Sequence, residues 1–139
     1  MFVLNLVTPE KKLVTELEVE EVIVPAFRGQ LDILPGHAPL MTTLSTGVLK
    51  YKAAGATKYE TVVVSWGYCE VHPEGVIILA ETAESLEELN RERAEQAMQK
   101  AQKALVDPFL EADQVEMFQR KLARAEARLS ALSGSEHTH

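Results

Sequence analysis

Near Ala83 the hydrophobic period changes, and this limits the fold more than any other feature of the 139 residues. Before it, apolar residues come in short runs rich in Val, Ile, Thr and aromatics, punctuated by Gly and Pro. The opening Phe2-Val3-Leu4-Asn5-Leu6-Val7 stops at Thr8-Pro9. Leu17, Val19 and Val22-Ile23-Val24 precede Pro25, and residues 48–52 alternate before Ala54-Gly55. Residues 59–64 lead into Ser65-Trp66-Gly67, residues 68–71 stop at Pro73-Glu74-Gly75, and residues 76–80 close the series. Such runs read as strands, because β-branched side chains fit a pleated surface while Pro lacks a donor for the ladder. The expected architecture for residues 1–84 is an antiparallel β-sandwich of about ten strands. Trp66 and Cys69 are expected to pack in its core or at its edge.

After Ala83, Gly and Pro become rare and strong helix formers dominate. Ser85-Leu86-Glu87-Glu88 has the form of a capping box. Leu86, Leu89, Ala94, Ala97, Met98, Ala101 and Leu105 then recur mostly three and four residues apart. Pro108 disfavours a helical conformation at Asp107. A second helix is expected to start at Asp107 or at the box-like Asp113-Gln114-Val115-Glu116. Its apolar seam is Val115, Phe118, Leu122, Ala125, Leu129 and Leu132, two residues in seven. Gly134 is expected to end it. Residues 85–133 thus form an antiparallel two-helix hairpin, and residues 134–139 a disordered tail. Narrow seams with many alanines bury little area, so the hairpin needs a surface to lie on. A segment so nearly balanced can also exchange one surface for another.

Composition narrows the function. A net charge of −7 argues against nucleic-acid binding, which needs clustered cations. The single cysteine, Cys69, permits no internal disulfide. The first residues lack a basic start and a long apolar run, so no secretory signal is expected. No apolar stretch is long enough to cross a bilayer, so no direct membrane insertion is expected. No P-loop, metal-ligand spacing or Gly-framed nucleophile is visible, and His72 before Pro73 reads as a turn residue. The residues alone leave open a stand-alone adaptor, in which a sandwich presents a helical hairpin to an unrelated coiled coil.

Gly29 to Leu49 is the most tightly punctuated stretch. Ile33-Leu34-Pro35-Gly36-His37-Ala38-Pro39-Leu40, followed by Thr43-Leu44, Gly47 and Leu49, resembles the signature block of the epsilon subunit of F-type ATP synthases, bacterial or plastid. The opening 4–9, Val71-His72-Pro73 and the run 76–83 ending in Ala80-Glu81-Thr82-Ala83 resemble the family's first and last strands, so the resemblance spans almost the whole chain. It implies a non-catalytic central-stalk rotor subunit that couples gamma to the c-ring during proton-driven synthesis. It implies contacts with gamma, the c-ring and the alpha/beta catalytic hexamer, and inhibition of hydrolysis when the helices extend. The location it implies is peripheral, on the cytoplasmic face of a bacterial inner membrane or the stromal face of a thylakoid.

Carried over by position, the c-ring face comprises Gln30 and His37 with Leu31 and Met41 nearby. Gln30 stands where many relatives have Glu, which removes a charge but keeps a hydrogen-bonding group. No cofactor is required. Some relatives bind a regulatory ATP through aliphatic-Asp-x-x-Arg-Ala, matched here by Leu89, Asn90, Arg93 and Ala94. Asn90 in place of Asp is expected to weaken such binding by about 1–3 kcal/mol, leaving it weak or absent. Arg120, Arg124 and Arg128 recur every four residues in the second helix. They read either as a solvated stripe, offset by Glu116 and Glu126, or as an inhibitory contact with acidic catalytic subunits.

Overall fold

β6 (Glu60–Val71) is the spine of the molecule. The computed structural model describes residues 1–137, with no side-chain description beyond Gly134. The first half of β6 pairs with β5 (Gly47–Ala53), from Gly47↔Val64 to Tyr51↔Glu60. Its second half pairs with β4 (Leu40–Leu44), from Leu44↔Gly67 to Leu40↔Val71. β7 (Gly75–Ser85) lies along the other side of β6. β2 (Lys12–Ala26) is also divided between neighbours. Its N-terminal part pairs with β1 (Phe2–Val7), its middle with β5, and its C-terminal part with β3 (Gly29–Ile33). Pairing of β1 with β7 closes the circuit β1–β2–β5–β6–β7, and this contact alone of those described is parallel.

The described residues form seven strands, not about ten. Two of the expected stops, Pro25 and Trp66-Gly67, lie inside long strands, and an unexpected bulge interrupts β2. Pro25 sits within β2 opposite Gln30, and its carbonyl accepts the backbone N–H of Ser45 at 2.9 Å. The 15–16 segment is a bulge: Glu16 has φ of 43°, and its N–H donates to Asn5 Oδ1 at 2.9 Å. Trp66 (φ 42°) and Gly67 (φ 141°) turn β6 from one layer to the other without ending it. Bulges and corners let one strand serve both layers, and a stop-counting argument divides such a strand.

The main core cluster lies inside the sandwich. Leu4, Leu6, Val19, Val22, Val24, Leu49, Val64, Cys69 and Ile78 have essentially no exposure. Cys69 is a core residue as expected. Trp66 is not, since it is half-buried on the outer surface.

The proposed capping box at Ser85 does not cap a helix. Leu86–Glu88 forms a single 3-10 turn, and the Ser85 side chain makes no cap bond. The helix α1 (Arg91–Leu105) starts later, capped by Asn90 Oδ1, which accepts the Arg93 N–H at 3.0 Å. Asp107 accepts the Phe109 N–H at 2.9 Å and holds the intervening turn. The second helix, α2 (Ala112–His137), begins near the later of the two expected starts. There Gln114 Oε1 accepts the Glu111 N–H at 3.3 Å. Gly134 does not end α2, which continues to His137; Thr138 and His139 lie outside the described residues. No described helix is long and apolar enough to cross a membrane.

Candidate functional site

Two surfaces stand out, one under the hairpin and one away from it. α2 packs on α1 with one face and on β5 and β6 with a second. Ala127 and Ala131 on this second face are buried with Val63, joined by Val48, Leu86 and Leu89. Alanine lets the helix backbone come close, but it brings little apolar area.

Charge completes the contact. Arg128 Nε donates to Glu84 Oε1 at 2.9 Å, with both side chains about a quarter exposed. The guanidinium groups of Arg120 and Arg124 lie 4.6 Å and 5.8 Å from the centroid of the Trp66 ring. Arg120 also approaches Glu116 at 3.8 Å. Lys11 Nζ pairs with Glu88 at 3.0 Å, tying the 3-10 turn to the β1–β2 turn. The three arginines, read from the sequence as a solvated or inhibitory stripe, here face the sandwich. Trp66 and Glu84 are the partners that sequence reasoning missed. A lone Trp followed by Gly, inside an otherwise regular strand, was the available signal for Trp66.

The second surface is an apolar band on the opposite half of the sheet. Cross-strand register aligns Thr43, Tyr68, Leu79 and Val7 in one row, and Met41, Glu70, Ile77 and Asn5 in the next. Met41, Tyr68 and Leu79 are each about half exposed or more. Exposed apolar side chains grouped in this way suit contact with another protein.

The expected c-ring residues do not gather in one patch. Gln30, exposed at the start of β3, borders a cleft whose far wall is Ala123, Glu126 and Ser130 of α2. Leu31 is half-buried against the core. His37 lies in the turn beyond the other end of β3, where Nδ1 stands 2.8 Å from the Ala38 carbonyl and the ring shares a crevice with His72. Met41 belongs to the apolar band. Beside Leu31, Asp32 has its carboxyl pKa raised by a hydrogen bond with Glu21. Glu21 is held low by that bond and by the Tyr59 O–H that donates to it.

At the start of α1 the residues expected to hold ATP already have local tasks. Asn90 caps the helix, Ala94 is buried, and Leu89 packs beneath α2. The Arg93 side chain is exposed. Among the described residues no three His, Cys, Asp or Glu side chains converge on a point that could hold a metal.

A bulged sandwich, a detachable-looking hairpin and surfaces suited to proteins define a binding subunit. The model of the ATP synthase delta/epsilon chain β-sandwich domain matches residues 1–86. A Bdellovibrio bacteriovorus protein described as ATP synthase epsilon chain is 46% identical over 128 residues, covering 92% of this chain and 91% of the relative. A Geobacter metallireducens protein of the same description is 38% identical over 137 residues, covering 97% and 78%. The chain belongs to the epsilon chains of ATP synthase, non-catalytic subunits of that complex. Two solved structures share the fold. One is a chain of the Euglena gracilis mitochondrial ATP synthase OSCP/F1/c-ring assembly, with TM-score 0.83, 22% identity, and coverage of 98% of this chain and 81% of that one. The other belongs to the Tetrahymena thermophila mitochondrial ATP synthase central stalk and c-ring, with TM-score 0.61, 12% identity, and coverage of 94% and 95%.

Proposed function

We propose that this chain is a central-stalk rotor subunit that couples gamma to the c-ring and restrains ATP hydrolysis through its hairpin. The observation that carries the proposal is the confinement of the main core cluster to the sandwich, with the hairpin held outside by a small alanine-rich contact. A hairpin so attached can leave without unfolding the body beneath it. The sandwich offers gamma the apolar band of Met41, Tyr68, Leu79 and Val7, while Gln30 and His37 offer polar contacts at the two ends of β3. The solved neighbours support this reading, as chains of assemblies that include a c-ring or central stalk. The relatives are bacterial, which favours a peripheral place on the cytoplasmic face of the inner membrane.

The test is ATP hydrolysis by the assembled complex carrying either the full chain or residues 1–86. Faster hydrolysis with the shortened chain, at unchanged synthesis, is the expected result. Equal hydrolysis would make the hairpin a permanent structural part. Regulatory ATP belongs to the same proposal. With Asn90 Oδ1 engaged by the cap, the side chain presents its amide donors and one remaining lone pair, whereas Asp would keep one oxygen on the cap and present a second, charged one. Calorimetry is expected to find weak ATP binding that Asn90→Asp strengthens and Arg93→Ala removes. Equal affinity in wild type and Arg93→Ala removes the nucleotide from the mechanism.

A further inference from the structure

The sandwich face beneath α2 is unusually polar. Strand alternation and register set two cross-strand rows on it. Val48, Val63 and Glu84 form one row. Continuing the same register, Thr46, Ser65 and Thr82 form the next. The oxygens Thr46 Oγ1, Ser65 Oγ and Thr82 Oγ1 are buried, as is Arg124 Nε, and none of these atoms has a hydrogen-bond partner among the described residues. An interface meant to stay shut would place apolar groups there, because each unpaired buried polar group opposes burial. Lifting the hairpin would open these hydroxyls to bulk water.

Opposing that tendency is the arginine contact. Trp66 stands at the corner of β6 with a left-handed φ of 42°, uncommon for a bulky residue. The corner directs its ring outward beneath Arg120 and Arg124. One helical turn beyond Arg124, Arg128 meets Glu84.

We propose that Trp66 is the catch of the hairpin: Arg120 and Arg124 stacked on its ring, with Arg128 on Glu84, hold α2 down over a hydroxyl row that favours release. The inference rests on the regulatory reading above and names what sets the folded population. It also reassigns the stripe. Cations that reach an acidic partner in an extended state must first leave Trp66 and Glu84, so the same three arginines stabilise the folded position.

Trp66 is the only tryptophan, so its emission in the full chain reports the catch. Acrylamide is expected to quench wild-type Trp66 weakly. The double variant Arg120→Gln/Arg124→Gln should be quenched more strongly. Hydrogen exchange gives a readout independent of the ring. Amides of α2 should exchange about tenfold faster in that variant, the loss expected from two partly exposed cation–π contacts. Exchange in β1, β6 and β7 should be unchanged. Trp66→Asn should do the same to α2, since Asn tolerates the left-handed backbone and the sandwich keeps its fold. Raising salt to about 1 M, where the Debye length is about 3 Å, should move wild type towards the variants. Unchanged α2 exchange in both variants overturns the catch, even if removing the hairpin still accelerates hydrolysis.

The assembled complex then separates the two readings. Trp66→Asn leaves the arginines free for the catalytic hexamer, so hydrolysis should slow. If α2 is released in the isolated chain and hydrolysis stays the same, the catch stands and the regulatory function fails.

Discussion

Gly67 is where β6 and β7 come too close for a side chain. Its φ of 141° is left to glycine, and a Cβ there would drive into the carbonyl of Leu79. Neither the Leu79 backbone nor the ladder around it can move aside cheaply. Gly67→Ala is therefore expected to destabilise the sandwich by about 2–4 kcal/mol, read as a lower urea midpoint with an unchanged slope. Two residues on, Cys69 shows how burial alters chemistry. Loss of solvation, with Glu70 nearby, pushes its thiol pKa up to about 12. Thiols react as thiolates, so at pH 8 a disulfide reagent should leave Cys69 unmodified in the folded chain and label it fully in denaturant. Rapid labelling without denaturant would mean that β6 opens far more readily than its burial implies.

Among the elements, α2 carries the most information, and it was the one least well read from sequence. Its seam through Leu122, Ala125 and Leu129 was legible because leucines recur at coiled-coil spacing. The face that touches the sandwich was not, because it consists of alanines and arginines, residues that a periodicity argument assigns to filler and solvent. Ala127 and Ala131 matter here through their small size, which no hydrophobic pattern registers. Ala127→Leu is accordingly expected to lift α2 from Val63 while preserving helicity, with crowding of about 1–3 kcal/mol. A disulfide engineered between α2 and β5 should form more slowly in that variant, and an unchanged rate would show that the contact has slack. The strands were legible for a different reason. Short runs rich in β-branched residues, bounded by Gly and Pro, marked β1, β5 and β7, whereas the strand total was too high because a corner such as Trp66-Gly67 looks like an end when only one strand is in view. At the start of α1 the Ser-x-x-Glu pattern was present, but the chain uses Asn90 five residues later. A capping box is a local preference, and here the path out of β7 determined which residue turned into the helix.

For the whole molecule, the main core and the hairpin contact are located in different places. No hairpin residue belongs to the main core cluster, so residues 1–86 should melt within a few degrees of the full chain. Scanning calorimetry checks this. A fall of about 15 °C or more would show that the hairpin shares the cooperative unit. The candidate sites divide the same way. Gln30, Leu31, His37 and Met41 on the sandwich were expected only through the family resemblance, while the hairpin contact became visible only when residues 63, 66 and 84 met residues 120–131.

The path of β6 has a mechanical consequence. One strand belongs to both layers and keeps a single register with β7 from Val62↔Ser85 to Val71↔Val76. Sliding one layer over the other would have to break that ladder along its length, so the strand acts as a cross-tie against shear. The proposed coupling of gamma to the c-ring, with torque entering at one face and leaving at the other, would need that stiffness. The torsional load would fall on the Trp66-Gly67 corner, the point where the tie passes between layers.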